Sequence, residues 1–213
     1  MDNLIYILFV SVFVPILLMA GLIEKKARRP ISFVLIGIFV SVFAAEVNGL
    51  LRNVLTLRTF EVTITVTPIT EEILKALPIL VYATALDAKK EKLFTASMAV
   101  GIGFAVLENA FYLLNDASFN MIDAVIRAFG AGLMHGMCTL LVGVGISFAK
   151  KRSKIFVVGT FALLSTAITY HGIYNMLVQS DFEVIGYLLP ITTYIPFFVW
   201  RIKNIYKRKL IKN

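Results

Sequence analysis

The sequence predicts an all-α fold, a polytopic transmembrane helical bundle of about seven spans. Three observations predict it. Hydrophobic residues make up 59% of the 213, and mean hydropathy is +0.84, more apolar than a soluble chain of this length can hide. Seven apolar segments are separable, most of them the roughly 17–25 residues that cross a bilayer as a helix. The basic residues gather in alternate connections between those segments, as the positive-inside rule requires of a multi-pass protein. The expected organisation is one integral membrane domain over 1–213, in the cell membrane and embedded in its lipid bilayer.

The first segment, about 4–23, is preceded only by Asp2 and lacks a basic flank and an obvious cleavage site, so it reads as a retained span. The second runs over about 31–51. The stretch "RNVLTLRTFEVTITVTP" after it alternates weakly and is rich in β-branched residues. It predicts a short strand-like loop or a segment lying on the membrane surface. Further spans follow at about 69–86, 94–115, 122–149, 155–178 and 183–202. The fifth is longer than the others and is expected to extend beyond the hydrocarbon.

Four basic residues follow span one in "EKKARRP", three follow span three in "DAKKEKL", and four follow span five in "AKKRSK". Six more lie in the tail "WRIKNIYKRKLIKN". The other connections hold only Arg52 and Arg58. This predicts a cytoplasmic C-terminus and an N-terminus outside. It also explains the formal charge of +8 through topology and lipid headgroups, with no nucleic-acid partner. The single Cys138 excludes an internal disulfide framework and a cysteine-based zinc site.

Ionisable residues inside a membrane are functional candidates by default. Here they are Glu46, Glu71, Glu72, Lys75, Glu108, Arg127, His135 and His171. At about 1.5 Å per residue, Glu108 and His171 lie roughly 10 Å below the outer surface, and His135 about 15–20 Å. Glu71 and Glu72 lie near the outer end of their span. Helices running in alternating directions thus bring acids and imidazoles to the outer half, which predicts one site. At about 100° per residue, Lys75 lies roughly 40° from Glu71 and 60° from Glu72, so it can pair with either. Gly101, Phe104 and Glu108 share a face, with the glycine permitting close helix approach. Ala128, Gly132 and Gly136 form a small-residue stripe that reads as packing. His171 and Asn175 share a face at i and i+4. Glu46 reads as a structural partner of Lys75 or Arg127.

Two histidines with several glutamates suit a divalent metal, zinc being the expected ion, with Glu108, His135 and His171 as ligands. Bound water is then acidified, and a glutamate acts as general base and later proton donor. A metal-independent version also works, in which one glutamate activates water directly and Asn175 donates to the oxyanion. The catalytic candidates are Glu71, Glu72, Lys75 and Asn175. Both versions describe hydrolysis of an acyl bond inside a membrane.

"EEILK" resembles the EExxK signature of the PrsW intramembrane proteases. "GFAVLEN" is similar to their FxxxEN segment, and "RAFGAGLMHG" and "HGIYN" resemble the later Arg/His and HxxxN segments. The wider superfamily holds the CAAX prenyl endopeptidases. Glu108 stands where those have a histidine, and Lys75 where they have arginine, which favours PrsW. The resemblance covers roughly 69–178, the expected catalytic helical core. It implies a protease built on Glu71, Glu72, Glu108, His135, His171 and Asn175, with Glu71 favoured as base. It implies regulated site-1 cleavage, from the outer side, of a single-span membrane substrate, an anti-sigma factor, in a stress response. Two other classes compete: a proton-coupled membrane transporter, and a non-enzymatic membrane scaffold. Against the first, no inverted repeat or paired broken helices are visible. Turnover of a single-span reporter separates the protease from both.

Overall fold

The computed structural model describes residues 4–20, 24–86, 89–115, 121–148 and 153–210, and every regular element among them is helical. The long helices are α1 (Leu4–Ala20), α2 (Lys25–Leu55), α4 (Thr67–Ala85), α5 (Lys90–Asn115), α6 (Met121–Ile146), α7 (Ser153–Val178) and α8 (Glu183–Leu210). Between α2 and α4 lie a single helical turn, α3 (Thr59–Glu61), and a π-helical segment, Val62–Val66. The end of the first expected span, most of "AKKRSK" and the last three tail residues lie outside the described residues.

Four of these helices are long and apolar enough to cross a membrane, over Ala27–Leu55, Lys90–Asn115, Ala124–Ile146 and Phe156–Val178. The chain is a multi-pass membrane protein. Helix α2 has 31 residues, roughly 46 Å at 1.5 Å each, so it outreaches a hydrocarbon core of about 30 Å.

Close approach of backbones holds the bundle together, as expected where lipid is as apolar as the core. A β-carbon at Gly103 of α5 would stand 2.1 Å from Val34 O, and one at Gly37 of α2 would stand 2.1 Å from Val100 O. Only glycine lets α2 and α5 cross there. At Gly101 a β-carbon would stand 2.4 Å from His135 O, which draws α5 onto α6. The small-residue stripe of α6 is looser than its sequence suggests: a β-carbon at Gly132 would meet open space, and one at Gly136 ordinary contacts with Met98 and Ile102. Helix α6 packs against α4, α5, α7 and α8. The core around it includes Ile79, Val100, Met134, Cys138 and Val142.

The stretch expected to be strand-like or to lie on the surface is helical and tied into the bundle. Thr63 and Thr65 donate their hydroxyls to the carbonyls of Thr59 (2.8 Å) and Glu61 (2.6 Å). Asn175 Nδ2 of α7 donates to Thr63 O at 2.9 Å. A β-carbon at Gly172 would stand 2.9 Å from Ile64 O, so α7 lies directly over the π-segment. These tertiary contacts override the β preference of Val62, Ile64 and Val66. Pro68 is tolerated because it falls in the first turn of α4. Helix α2 ends at Thr56, whose φ of 50° and ψ of 33° are left-handed.

Helix α4 has two unlike faces. Ile69, Ile73, Leu77 and Val81, spaced by four, are exposed. Glu71, Glu72, Lys75 and Ile79 are buried.

Candidate active site

The inward face of α4 brings three charged groups into the bundle. Glu72 and Lys75 are fully buried and Glu71 is 5% exposed. His135 of α6 and His171 of α7 are each 1% exposed. Their rings meet edge to face, with centroids 4.9 Å apart. Buried charges persist only when paired, and the pairings here are specific.

Glu72 Oε1 accepts from Lys75 Nζ at 2.7 Å and faces His171 Nδ1 at 2.9 Å. Lys75 Nζ also contacts His135 Nδ1 at 2.8 Å and lies 4.6 Å from the centre of the Phe104 ring. The spacing argument left open which glutamate Lys75 takes; its hydrogen bond is to Glu72. His135 Nε2 stands 2.5 Å from Glu108 Oε2. Glu71 is bound differently. Its Oε1 accepts a long hydrogen bond from Asn48 Nδ2 at 3.4 Å, Asn48 Oδ1 accepts from the Thr70 hydroxyl, and Glu71 Oε2 has no hydrogen-bond partner. That free oxygen lies 3.9 Å from His171 Nε2.

The partners assign the tautomers. An ammonium only donates, so His135 accepts at Nδ1, carries its proton on Nε2 and gives it to Glu108. His171 donates from Nδ1 to the Glu72 carboxylate, leaving the Nε2 lone pair facing Glu71. Carboxylate–imidazole pairs of this kind orient metal ligands. Ligand atoms of Glu71, His135 and His171 all lie within 4.8 Å of one another. An orphaned buried carboxylate oxygen facing an imidazole lone pair fits a divalent cation. The cluster therefore suits a metal, with Glu71 grouped with the histidines and Glu108 joined to it through His135 Nε2.

Two cavities flank this cluster. One, of about 370 Å³, is lined by Asn48, Arg52, Thr63, Glu71, Phe104 and Glu108 among others. The second, of about 190 Å³, includes Glu108, Arg127, His135, Tyr174 and Asn175 in its lining. Thr59, Thr63, Glu108 and Tyr112 border both. The site is thus reachable from two sides, and the α3–π segment forms part of both walls.

The contacts join Glu71, Glu72, Lys75, Glu108, His135 and His171 into one cluster. Asn175 borders the second cavity, and its Nδ2 donates to Thr63 O. Glu46 lies apart: it is exposed and accepts from the Tyr6 hydroxyl at 2.5 Å, not from Lys75 or Arg127, because it faces α1 from the outer flank of α2. Sequence reasoning did not single out Asn48, Tyr112 or Tyr174. The first had a readable signal, an amide in the apolar run "FAAEVNGLL".

A multi-pass helical bundle that buries glutamates and histidines beside two cavities defines a membrane-embedded enzyme class rather than a structural span. A family model for the PrsW family intramembrane metalloproteases matches residues 26–201, most of the chain, and the chain belongs to that family. It is accordingly an intramembrane peptidase, acting on membrane-embedded protein. No curated protein matches the chain, and no solved structure does.

Proposed function

We propose that the chain cleaves a membrane-anchored, single-span protein near the outer leaflet, with Glu71 as general base. The observation that carries this is the buried Glu71 Oε2, unpartnered and bordering the larger cavity. Glu72 is less suited to the role, because Lys75 and His171 both occupy its Oε1. Glu71 takes a proton from water as the water oxygen attacks the scissile carbonyl carbon. The carbon–nitrogen bond then breaks, and Glu71 returns the proton to the departing amine.

Glu72 and Lys75 hold the two imidazoles in opposite tautomers. His171 offers a lone pair beside Glu71, and His135 offers an N–H toward Glu108. His171 and His135 would hold a divalent ion, zinc by its taste for imidazole and carboxylate, beside Glu71, whose Oε2 then stays free as the base. When bound, the metal would acidify water and polarise the carbonyl. For His135 to take part as a ligand, its Nε2 proton must pass to Glu108, which is already in contact.

The catalytic core is proposed as the helices over 69–178 together with Asn48 of α2. The N-terminus lies outside, the C-terminus is cytoplasmic, and the substrate is an anti-sigma factor. A single-span reporter reconstituted with the full chain tests the activity. Cleavage lost in Glu71→Gln is expected, and undiminished cleavage would remove Glu71 from the mechanism. Reporter fusions at the tail and within 116–121 test orientation, and an extracytoplasmic tail would overturn it.

A further inference from the structure

We infer that the smaller cavity is a carboxylate pocket for the substrate, with Arg127 and Tyr174 as its binding groups. The inference rests on the protease reading and adds to it what the site selects.

Arg127 of α6 is 8% exposed, and its Nε has no hydrogen-bond partner. The guanidinium carbon sits 4.0 Å from the centre of the Tyr112 ring. Such stacking uses the face of the guanidinium. Its N–H donors radiate from the edge, in the plane, so stacking leaves them available. Tyr174 of α7 is 2% exposed, and its hydroxyl also has no partner. A β-carbon at Gly130 would stand 3.2 Å from that hydroxyl, so α6 carries glycine where the phenol lies. Both residues line the smaller cavity beside Glu108 and His135.

An intramembrane guanidinium is costly unless it is paired, and Arg127 has the attraction of Glu108 on the same cavity but no hydrogen bond at its Nε. A carboxylate meets its donors edge-on, in the plane that stacking leaves open. The phenol supplies a further donor. The cavity, about 190 Å³, equals about six waters at roughly 30 Å³ each. That admits one carboxylate-bearing group. The cavity meets the catalytic cluster at Glu108 and His135, so a group held there lies next to the scissile bond. Two sources share this chemistry: an acidic side chain of the substrate adjoining the cleaved bond, and the new C-terminal carboxylate released by cleavage.

The test uses the full chain in detergent and four versions of one short apolar peptide, fluorescently labelled at its N-terminus. The peptide ends in a free acid or an amide, and carries Glu or Gln next to that end. Binding is read by anisotropy. A carboxylate form is expected to bind about tenfold or more tighter than its neutral twin, in line with a hydrogen-bonded charge. A preference for the free acid assigns product capture; a preference for Glu assigns side-chain selection. Arg127→Gln should erase the preference, and Tyr174→Phe should reduce it by a smaller factor. Equal affinity across the four peptides in the wild type, including no measurable binding, overturns the inference without reliance on any variant. So does a preference that survives in folded Arg127→Gln. Reporter cleavage is scored separately. Cleavage without carboxylate preference sinks the pocket and leaves the protease. Carboxylate preference without cleavage does the reverse.

Discussion

Lys75 Nζ lies 2.8 Å from His135 Nδ1, and this one contact fixes which way the imidazole faces chemically. With a donor on Nδ1, the His135 proton resides on Nε2, toward Glu108. Lys75→Met removes that donor and leaves the Glu72 carboxylate with His171 alone. Breaking a buried pair typically costs about 3–5 kcal/mol. The expected result is a large loss of thermal stability together with a changed His135 signal in ¹⁵N spectra. An unchanged tautomer signal in Lys75→Met would show that Lys75 does not set it.

The two adjacent glutamates are predicted to fail differently. Glu71→Gln should keep the wild-type melting temperature and lose cleavage by about 10²–10⁴-fold, the usual contribution of a general base. Glu72→Gln should also lose cleavage, and should melt lower because Lys75 is left unpaired. Reporter turnover and melting measured on the same preparations separate the two. Equal melting losses in both variants would contradict the division of roles.

Metal removal gives a third prediction. Purified protein is expected to hold one divalent ion, and chelation is expected to abolish cleavage until the ion is restored. His171→Ala should lower metal content outright. Glu108→Gln, acting through His135 Nε2, should lower affinity by about 10–100-fold. Elemental analysis and titration read both. Full activity in metal-free wild type would leave glutamate-activated water as the mechanism.

Thr56 closes α2 in a left-handed conformation that a β-branched residue adopts at a cost. Thr56→Asn should recover about 1 kcal/mol, or about 2–4 °C in melting temperature, with cleavage unchanged. A fall in melting temperature would show that the threonine makes a compensating contact.

The half-exposed Glu61 predicts a local pH response. The Arg58 guanidinium and backbone N–H donate to its carboxylate and hold its pKa below the usual glutamate value. A carboxyl whose pKa is lower folded than unfolded stabilises above its unfolded value, and the effect is lost as pH falls through the folded one. Amide protection over 59–66 should therefore drop on acidification in the wild type. It should be weaker and flat with pH in Glu61→Gln. The effect is small because the pair is exposed.

Much of this was legible in the sequence, for physical reasons. Hydropathy and length gave the helices, since a bilayer leaves the backbone little choice. Charged groups in apolar runs gave the cluster, since burial without pairing is costly. The partners were less legible. Helical angles let Lys75 reach either glutamate, and only the approach of α6 and α7 assigns it to Glu72 and His135. The β-branched run at 62–66 suggested a strand because local preference was read without α7, which covers it at Gly172 and Asn175. Glu46 reads as a partner for a buried cation from its span alone, because the sequence does not show which helix faces it. Tyr6 lies on α1, forty residues away.

The two-faced α4 has a consequence for the setting of the reaction. Its Ile69–Ile73–Leu77–Val81 edge faces out of the bundle while Glu71 and Glu72 occupy the opposite edge, so in a bilayer a single helix, about 10–12 Å across, would separate lipid from the buried carboxylates. The bilayer would thus form one wall of the proposed reaction chamber. Its thickness would then bear on the position of α4, and the chemistry at the site would be a property of protein and membrane together.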